Sequence, residues 1–359
     1  EAMNIAVRIS RAATGRDKIL FSGYHGWNDW YLAANLRSED GLDEHLIPGL
    51  STKGVPAGLI NTAIPFTYNS PSDLERVVSE NTDAAAICIE GARYDFPSSE
   101  FLSTVSKLAQ KHNMIIISDE ITSGFRMTDG GVYKLNGFAP DIVVYAKALG
   151  GGYPIAAILG TDDVMYAAQD TFMSSTMWTE RVGFVAALST LEILIRDRVW
   201  EHLIKIGNLI GDGWISLAKK HNLKITITDF KPLITMKFDY GDDNQILATL
   251  FIQEMLNRGY LAATSVYVSY AHNEEIVSQY LEAVDECFAI LVSGIDNKNI
   301  RSLLNTKIRS DSFSRIGMHI SSVAPGKTVD SKMTMLFNFK ILPTNFEAEI
   351  SGPKSGCFL

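Results

Sequence analysis

Asp119 and Lys147 are the residues of this chain best placed to do chemistry. Each closes an almost unbroken apolar run, residues 114–118 and 142–146, of the kind that parallel strands covered on both faces require. Ligands of open α/β sheets gather beyond the carboxyl ends of the strands, so an acid and an amine placed there can face one ligand. The pair meets the needs of pyridoxal phosphate (PLP), which takes a lysine for a Schiff base and an acid for its pyridinium nitrogen. Three glycines, Gly150–Gly152, follow the lysine and allow backbone conformations and close approaches closed to other residues. No Gly-Lys-Ser/Thr follows them, so they are not a P-loop.

The elements that must position these residues alternate as in an α/β sheet. Residues 1–13 carry Ala2, Ile5, Ile9 and Ala12 at helical spacing. Residues 17–22 and 83–90 read as strands, and 38–63 as loop. Residues 98–112 form an amphipathic helix, with Ser98 as its N-cap and Phe101, Leu102, Val105 and Ala109 on one face. A strand over 155–159 follows the glycines, and 180–221 is helical. Strands at 223–228 and 233–238 with helices at 244–257 and 274–292 make a smaller α+β unit. The expected division is therefore a cofactor-binding large domain over 1–190, a small domain over 191–315, and an unassigned β-like tail over 316–359.

The stretches Asp119-Glu-Ile-Thr-Ser-Gly-Phe-Arg126 and Lys147-Ala-Leu-Gly-Gly-Gly-Tyr-Pro-Ile-Ala-Ala157 resemble, in order and separation, the two central motifs of the class III, fold-type I PLP-dependent aminotransferases, in the branch around glutamate-1-semialdehyde aminomutase. The match runs from Glu1 to about residue 315. It implies a mostly parallel mixed sheet with helices on both faces plus a smaller α+β domain. It also implies amino-group transfer between an amine donor and an oxo-acid, aldehyde or ketone acceptor, through Lys147 and PLP. The alternatives are an intramolecular aminomutase, a PLP enzyme of another outcome such as a racemase or decarboxylase, and a non-catalytic homologue. In the family the first helix follows a small-residue turn that holds the cofactor phosphate with backbone N–H groups. This sequence begins inside that motif, so it reads as lacking an N-terminal arm.

Carried over position by position, the resemblance gives Asp119 to the pyridine nitrogen and packs Ile121 beneath the ring. Tyr24 and His25, in Gly-Tyr-His-Gly, match a turn whose aromatic residue stacks over the cofactor; His25 reads as structural rather than catalytic. Glu120 is either a structural partner or a cofactor neighbour, and Glu90 has Gly91 where the family has proline. Thr176 matches a threonine that reaches the cofactor phosphate of the other subunit, which implies a homodimer. Trp178, Glu180 and Arg181 depart from the family's small residues. Arg181 suits capture of a substrate carboxylate, and a Glu–Arg pair at a helix start is the equal alternative. His272 resembles a small-domain motif concerned with packing.

Composition narrows the partners. A net charge of −9 and a pI near 5.3 argue against a general nucleic-acid or anionic-membrane surface; small-molecule amine and carbonyl substrates are what the resemblance implies. No apolar run reaches the length of a membrane span, and no signal peptide is visible. The three cysteines are odd in number and far apart, with no Cys-x-x-Cys pair; no metal site is expected, and a reducing cytoplasm suits the chain. Cys88, in an apolar strand, is expected in the core.

Overall fold

The unbroken apolar runs become the centre of a six-stranded sheet. The protein is described by a computed structural model over residues 1–45 and 48–309; the expected tail over 316–359 lies outside the described residues. Strands β1 (Ile19–Ser22), β2 (Ala63–Pro65), β3 (Ala86–Glu90), β4 (Ile115–Asp119), β5 (Ile142–Tyr145) and β6 (Ala157–Gly160) are ordered β2-β1-β3-β4-β5-β6. The first five are mutually parallel, and β6 pairs antiparallel with β5. Every residue of β1, β3, β4 and β5 is buried, whereas β6 at the edge is half exposed.

Period-two alternation sends successive strand residues to opposite cores. Phe21, Cys88, Ile115 and Ile117 pack with Met3, Ala6 and Val7 of α1 (Ala2–Thr14). Leu20, Ile87, Ile89 and Ile116 face Leu74 and Val77 of α3 (Pro71–Glu80) and Phe101 and Val105 of α4 (Ser99–His112). Between β1 and β2 lies the short α2 (Asp29–Leu32), which buries Trp30 and Tyr31. Ser98 caps α4 as expected, accepting the Phe101 N–H at 3.2 Å.

After α5 (Asp162–Tyr166), the helical stretch divides into α6 (Arg181–Asp197) and α7 (Val199–His221), because Arg198 adopts a left-handed φ of 49° between them. A second, antiparallel sheet runs β7 (Ile225–Ile227), β8 (Leu233–Phe238) and β9 (Ser265–Tyr267). Helix α7 packs on it with α8 (Asn244–Asn257) and α9 (Glu274–Asp296), around Trp214, Ile234, Phe251 and Phe288. Strands β2 and β9 escape sequence reading, whereas β7, equally short, lies within the expected strand at 223–228. Both sheets fall within one unit, Glu1–Ser314.

Candidate active site

Asp119 and Lys147 leave adjacent strands. Asp119 pairs with Val144 across β4 and β5, so the acid ends its strand opposite a residue three positions before Lys147. The Asp119 carboxylate is buried and both oxygens are held. Oδ1 accepts the Ile121 N–H at 3.0 Å, and Oδ2 lies 2.8 Å from His25 Nδ1. The second His25 nitrogen, Nε2, lies 3.1 Å from the Ser22 carbonyl. A carbonyl and a carboxylate can only accept, so both ring nitrogens donate and the ring is an imidazolium. Burial opposes that charge, but the Cys88 sulfur and the Asp119 carboxylate outweigh it, and the proton affinity of His25 stands well above the usual value. Beside it, His45 is driven down to about 4 by burial and by His25, and its Nδ1 accepts the Gly23 N–H at 3.2 Å.

Lys147 opens a short helical turn with a left-handed φ of 48°. For a residue other than glycine this costs roughly 1–3 kcal/mol, a strain typical of functional positions. Two left-handed glycines, Gly151 and Gly152, complete the turn. The amine donates to the Thr122 hydroxyl at 2.9 Å while the side chain remains exposed to a cleft. Its proton affinity is lowered, first by partial removal from water and then by Arg93, with Asp119 and Glu90 pulling the other way.

The cleft, of about 570 Å³, is lined by Glu1, Ala2, Ile121, Lys147, Gly152 and Tyr153, among others. Helix α1 starts there, and among the described residues no side chain caps its first N–H groups. A helix start of this kind attracts phosphate. The residues thus fit PLP on three counts: an amine of lowered proton affinity, a fixed buried carboxylate with lone pairs to spare, and the N-terminal turn of α1 at the cleft.

The remaining expected residues scatter. Tyr24 is half-buried, edge-on to Tyr31 at 5.6 Å, with the Arg93 guanidinium 5.9 Å from its ring centre. Glu120 is fully buried, and its carboxyl group is taken up by the Ser118 and Ser123 hydroxyls and the Tyr133 N–H, which fasten the loop after β4. Glu180 caps α6, accepting from Val182 N–H at 2.7 Å and Gly183 N–H at 3.2 Å; Tyr153 also donates to it. Glu180 thus caps the helix start through backbone N–H groups and the Tyr153 hydroxyl, without an ion pair to Arg181 among the described residues. Trp178 lines an adjoining cleft of about 710 Å³ with Ala2 and Ile5. Thr176 and Arg181 are exposed and lie outside the Lys147 cleft of this single chain. His272 accepts the Ser269 N–H, and its carbonyl accepts from His202, as packing implies.

Three site residues went unassigned in the sequence. Thr122 lies within the Asp119 motif, where its spacing was a usable signal. Arg126 closes the same motif, and Arg93 comes near the lysine only through tertiary structure.

Comparison with known proteins agrees with this geometry. The family model for class III aminotransferases matches residues 1–265. The chain is 31% identical to the 3-aminobutyryl-CoA aminotransferase of Cloacimonas acidaminovorans, over 80% of this chain and 69% of that one. It is 29% identical to the glutamate-1-semialdehyde 2,1-aminomutase of Neisseria gonorrhoeae, over 82% of this chain and 73% of the relative. Among solved structures, an omega-transaminase from Sphaerobacter thermophilus superposes with a TM-score of 0.70 at 20% identity, covering 84% of this chain and 72% of that one. The FumI protein of Sphingopyxis sp. MTA144 gives a TM-score of 0.73 at 24% identity, with the same coverage. The structural likeness establishes the fold-type I architecture, and the sequence matches settle the family: this chain belongs to the class III aminotransferases.

Proposed function

We propose that Lys147 is the amine that holds PLP and that Asp119, fixed by His25, meets the ring nitrogen of the cofactor. The enzyme moves an amino group between an amine donor and a carbonyl acceptor. When bound, PLP supplies an aldehyde that accepts amines reversibly and a ring that takes up the electrons of a breaking Cα–H bond. The chain's own residues do the rest. Thr122 steadies Lys147 Nζ, which as a free amine removes the substrate Cα proton and gives it back one position away. Asp119 faces the ring nitrogen, and His25 Nδ1 holds Asp119 in orientation from 2.8 Å. The uncapped start of α1 receives the phosphate, and Ile121 supports the ring from the same cleft. The observation that carries this reading is the convergence of a strained, low-affinity Lys147 with a buried, imidazolium-held Asp119.

The test is chemical. The chain is incubated with PLP, reduced with borohydride and mapped by mass spectrometry. Pyridoxyl label on Lys147, absent in Lys147→Ala, is the expected result; label spread over surface lysines would sink the assignment.

We place the active form in a homodimer, with Thr176 of each protomer serving the other's cofactor phosphate. The support is the exposed apolar stripe of Phe184, Val185, Leu188 and Ile195 on α6, larger than a solitary surface helix needs. In the same reading, Trp178 and Arg181 lie on the substrate's approach, Tyr24 and Glu120 support the turns around the cofactor, and the large and small domains meet near residue 190. Among the described residues no helix is long and apolar enough to cross a membrane. The buried free thiols Cys88 and Cys287 suit a reducing cytoplasm. An intramolecular aminomutase is the second reading, favoured by the likeness to glutamate-1-semialdehyde aminomutases. Turnover that needs no separate acceptor would decide for it.

A further inference from the structure

The charged ring of His25 stands among three aromatic side chains that the chemistry described above does not use. Trp30 stacks on it, with ring centroids 6.2 Å apart and planes 22° from parallel. Phe21 and Tyr31 meet it edge-on, at 6.0 Å and 6.2 Å. All three are buried and come from β1 and α2, the two elements that flank the His25 turn. Tyr31 also fixes that turn, donating its hydroxyl to the Gly23 carbonyl at 3.1 Å. Trp30 is not among the residues that line the Lys147 cleft.

As core filler, Trp30 is a poor choice. It is only 3% exposed, and among the described residues its enclosed Nε1 has no hydrogen-bond partner. A buried donor left unpaired destabilises the fold, and a phenyl or aliphatic side chain would pack without that penalty. What indole adds is the most electron-rich face of any side chain, which attracts a cation set over it.

The His25 charge needs such support. Burial is the largest influence on the ring and favours its neutral form. The Asp119 carboxylate and the Ser22 carbonyl hold its two nitrogens. Cys88 and Glu90 of β3 and Tyr31 of α2 also stand around it, each with a proton affinity raised by burial. His45, from the loop beyond α2, is close enough for the two rings to repel one another when charged.

We propose that Trp30 is a positioning residue of this active site: its indole face stabilises the charged His25 ring, which in turn holds Asp119 toward the cofactor nitrogen. The last step rests on Asp119 as the cofactor's partner. The effect of Trp30 on His25 belongs to the chain with or without PLP.

The test grades the electron density of the indole without changing its shape. NMR of the chain carrying isotope-labelled histidine, without PLP, comes first; the His25 signal is the one that His25→Asn removes. At pH 7 both His25 nitrogens should carry protons. Tryptophan is then replaced throughout by its mono- and difluorinated analogues, in the unaltered chain and in His25→Asn. Urea unfolding of the unaltered chain should show a folding constant that falls stepwise, by roughly twofold to tenfold in all, while His25→Asn stays level. The second chain carries the same five fluorinated tryptophans, so the other four cancel. Trp30→Leu should reproduce the loss and Trp30→Phe part of it; if either fails to fold, the fluorinated series still decides. PLP retention in equilibrium dialysis should fall in the same order. Equal losses in both chains would overturn the proposal, as would a neutral His25 ring. Losses confined to the chain with His25, at unchanged PLP retention, would overturn the step to the cofactor and with it the reading of Asp119. Borohydride labelling of Lys147 reports on the lysine separately.

Discussion

His25 Nδ1 lies 2.8 Å from Asp119 Oδ2 in a site from which water is excluded, and the Ser22 carbonyl receives the other ring nitrogen. The raised proton affinity of His25 in the folded chain has a consequence for stability. Its contribution is fully present below the unfolded value near 6.5 and is lost as pH rises through the higher folded value. His25→Asn keeps a donor toward Asp119 but removes the titrating charge. The stability gap between the unaltered chain and this variant, read from urea unfolding, should be widest in acid and close in alkali. A gap that stays flat across the range would refute the imidazolium assignment.

On the proposed role of Asp119, the same pair should govern cofactor retention. Without its charged partner, Asp119 loses a charge-assisted bond of about 1.5–3 kcal/mol. PLP should then dissociate roughly tenfold to a hundredfold more readily from His25→Ala than from the unaltered chain, as measured by equilibrium dialysis.

Lys147 should show its lowered proton affinity in its reactivity. Capture of PLP, followed by absorbance, should rise with pH and level off earlier than free lysine allows. Because Arg93 repels the ammonium form, Arg93→Gln should move that midpoint to higher pH. A midpoint that stays put or falls would mean that Arg93 does not act on the lysine.

The α6 stripe predicts assembly. Leu188 is 62% exposed in the single chain, beside Phe184 and Val185. Leu188→Glu should weaken self-association by about 2 kcal/mol or more, on the order of 30-fold, in sedimentation equilibrium. It should also reduce cofactor retention if Thr176 serves the partner subunit's site.

Gly207 in α7 offers a test of packing. A Cβ there would stand 2.2 Å from the Lys231 carbonyl oxygen, which is backbone and cannot step aside cheaply. Helix propensity favours alanine by about 1 kcal/mol, but overpacking costs roughly 1–3 kcal/mol and here meets main chain. Gly207→Ala should therefore lower the urea midpoint rather than raise it.

Much of this was legible in one dimension. Strands β3, β4 and β5 announce themselves because burial on both faces demands continuous Ile, Val and Ala, and a polar residue straight after such a run marks a strand end. Asp119 and Lys147 stand at those ends, so their type and place already name the cofactor. Ser98 was readable as a cap because its hydroxyl acts within three residues. Local interactions are written locally.

What the tertiary structure alone decided involves partners far apart in the chain. His25 and Asp119 are 94 residues apart, and the charge of the histidine follows from what encloses it, not from its neighbours in sequence. The carboxyl groups of Glu120 and Glu180 fasten the loop after β4 and the start of α6, contacts that residue type alone does not specify. Arg93 carries no periodic signal; parallel strand order brings it near Lys147. Residue type and period determined the sheet and its chemistry, because burial and backbone geometry act over a few residues. Protonation and charge balance waited on the fold, because electrostatics depends on distance through space and on exclusion of water.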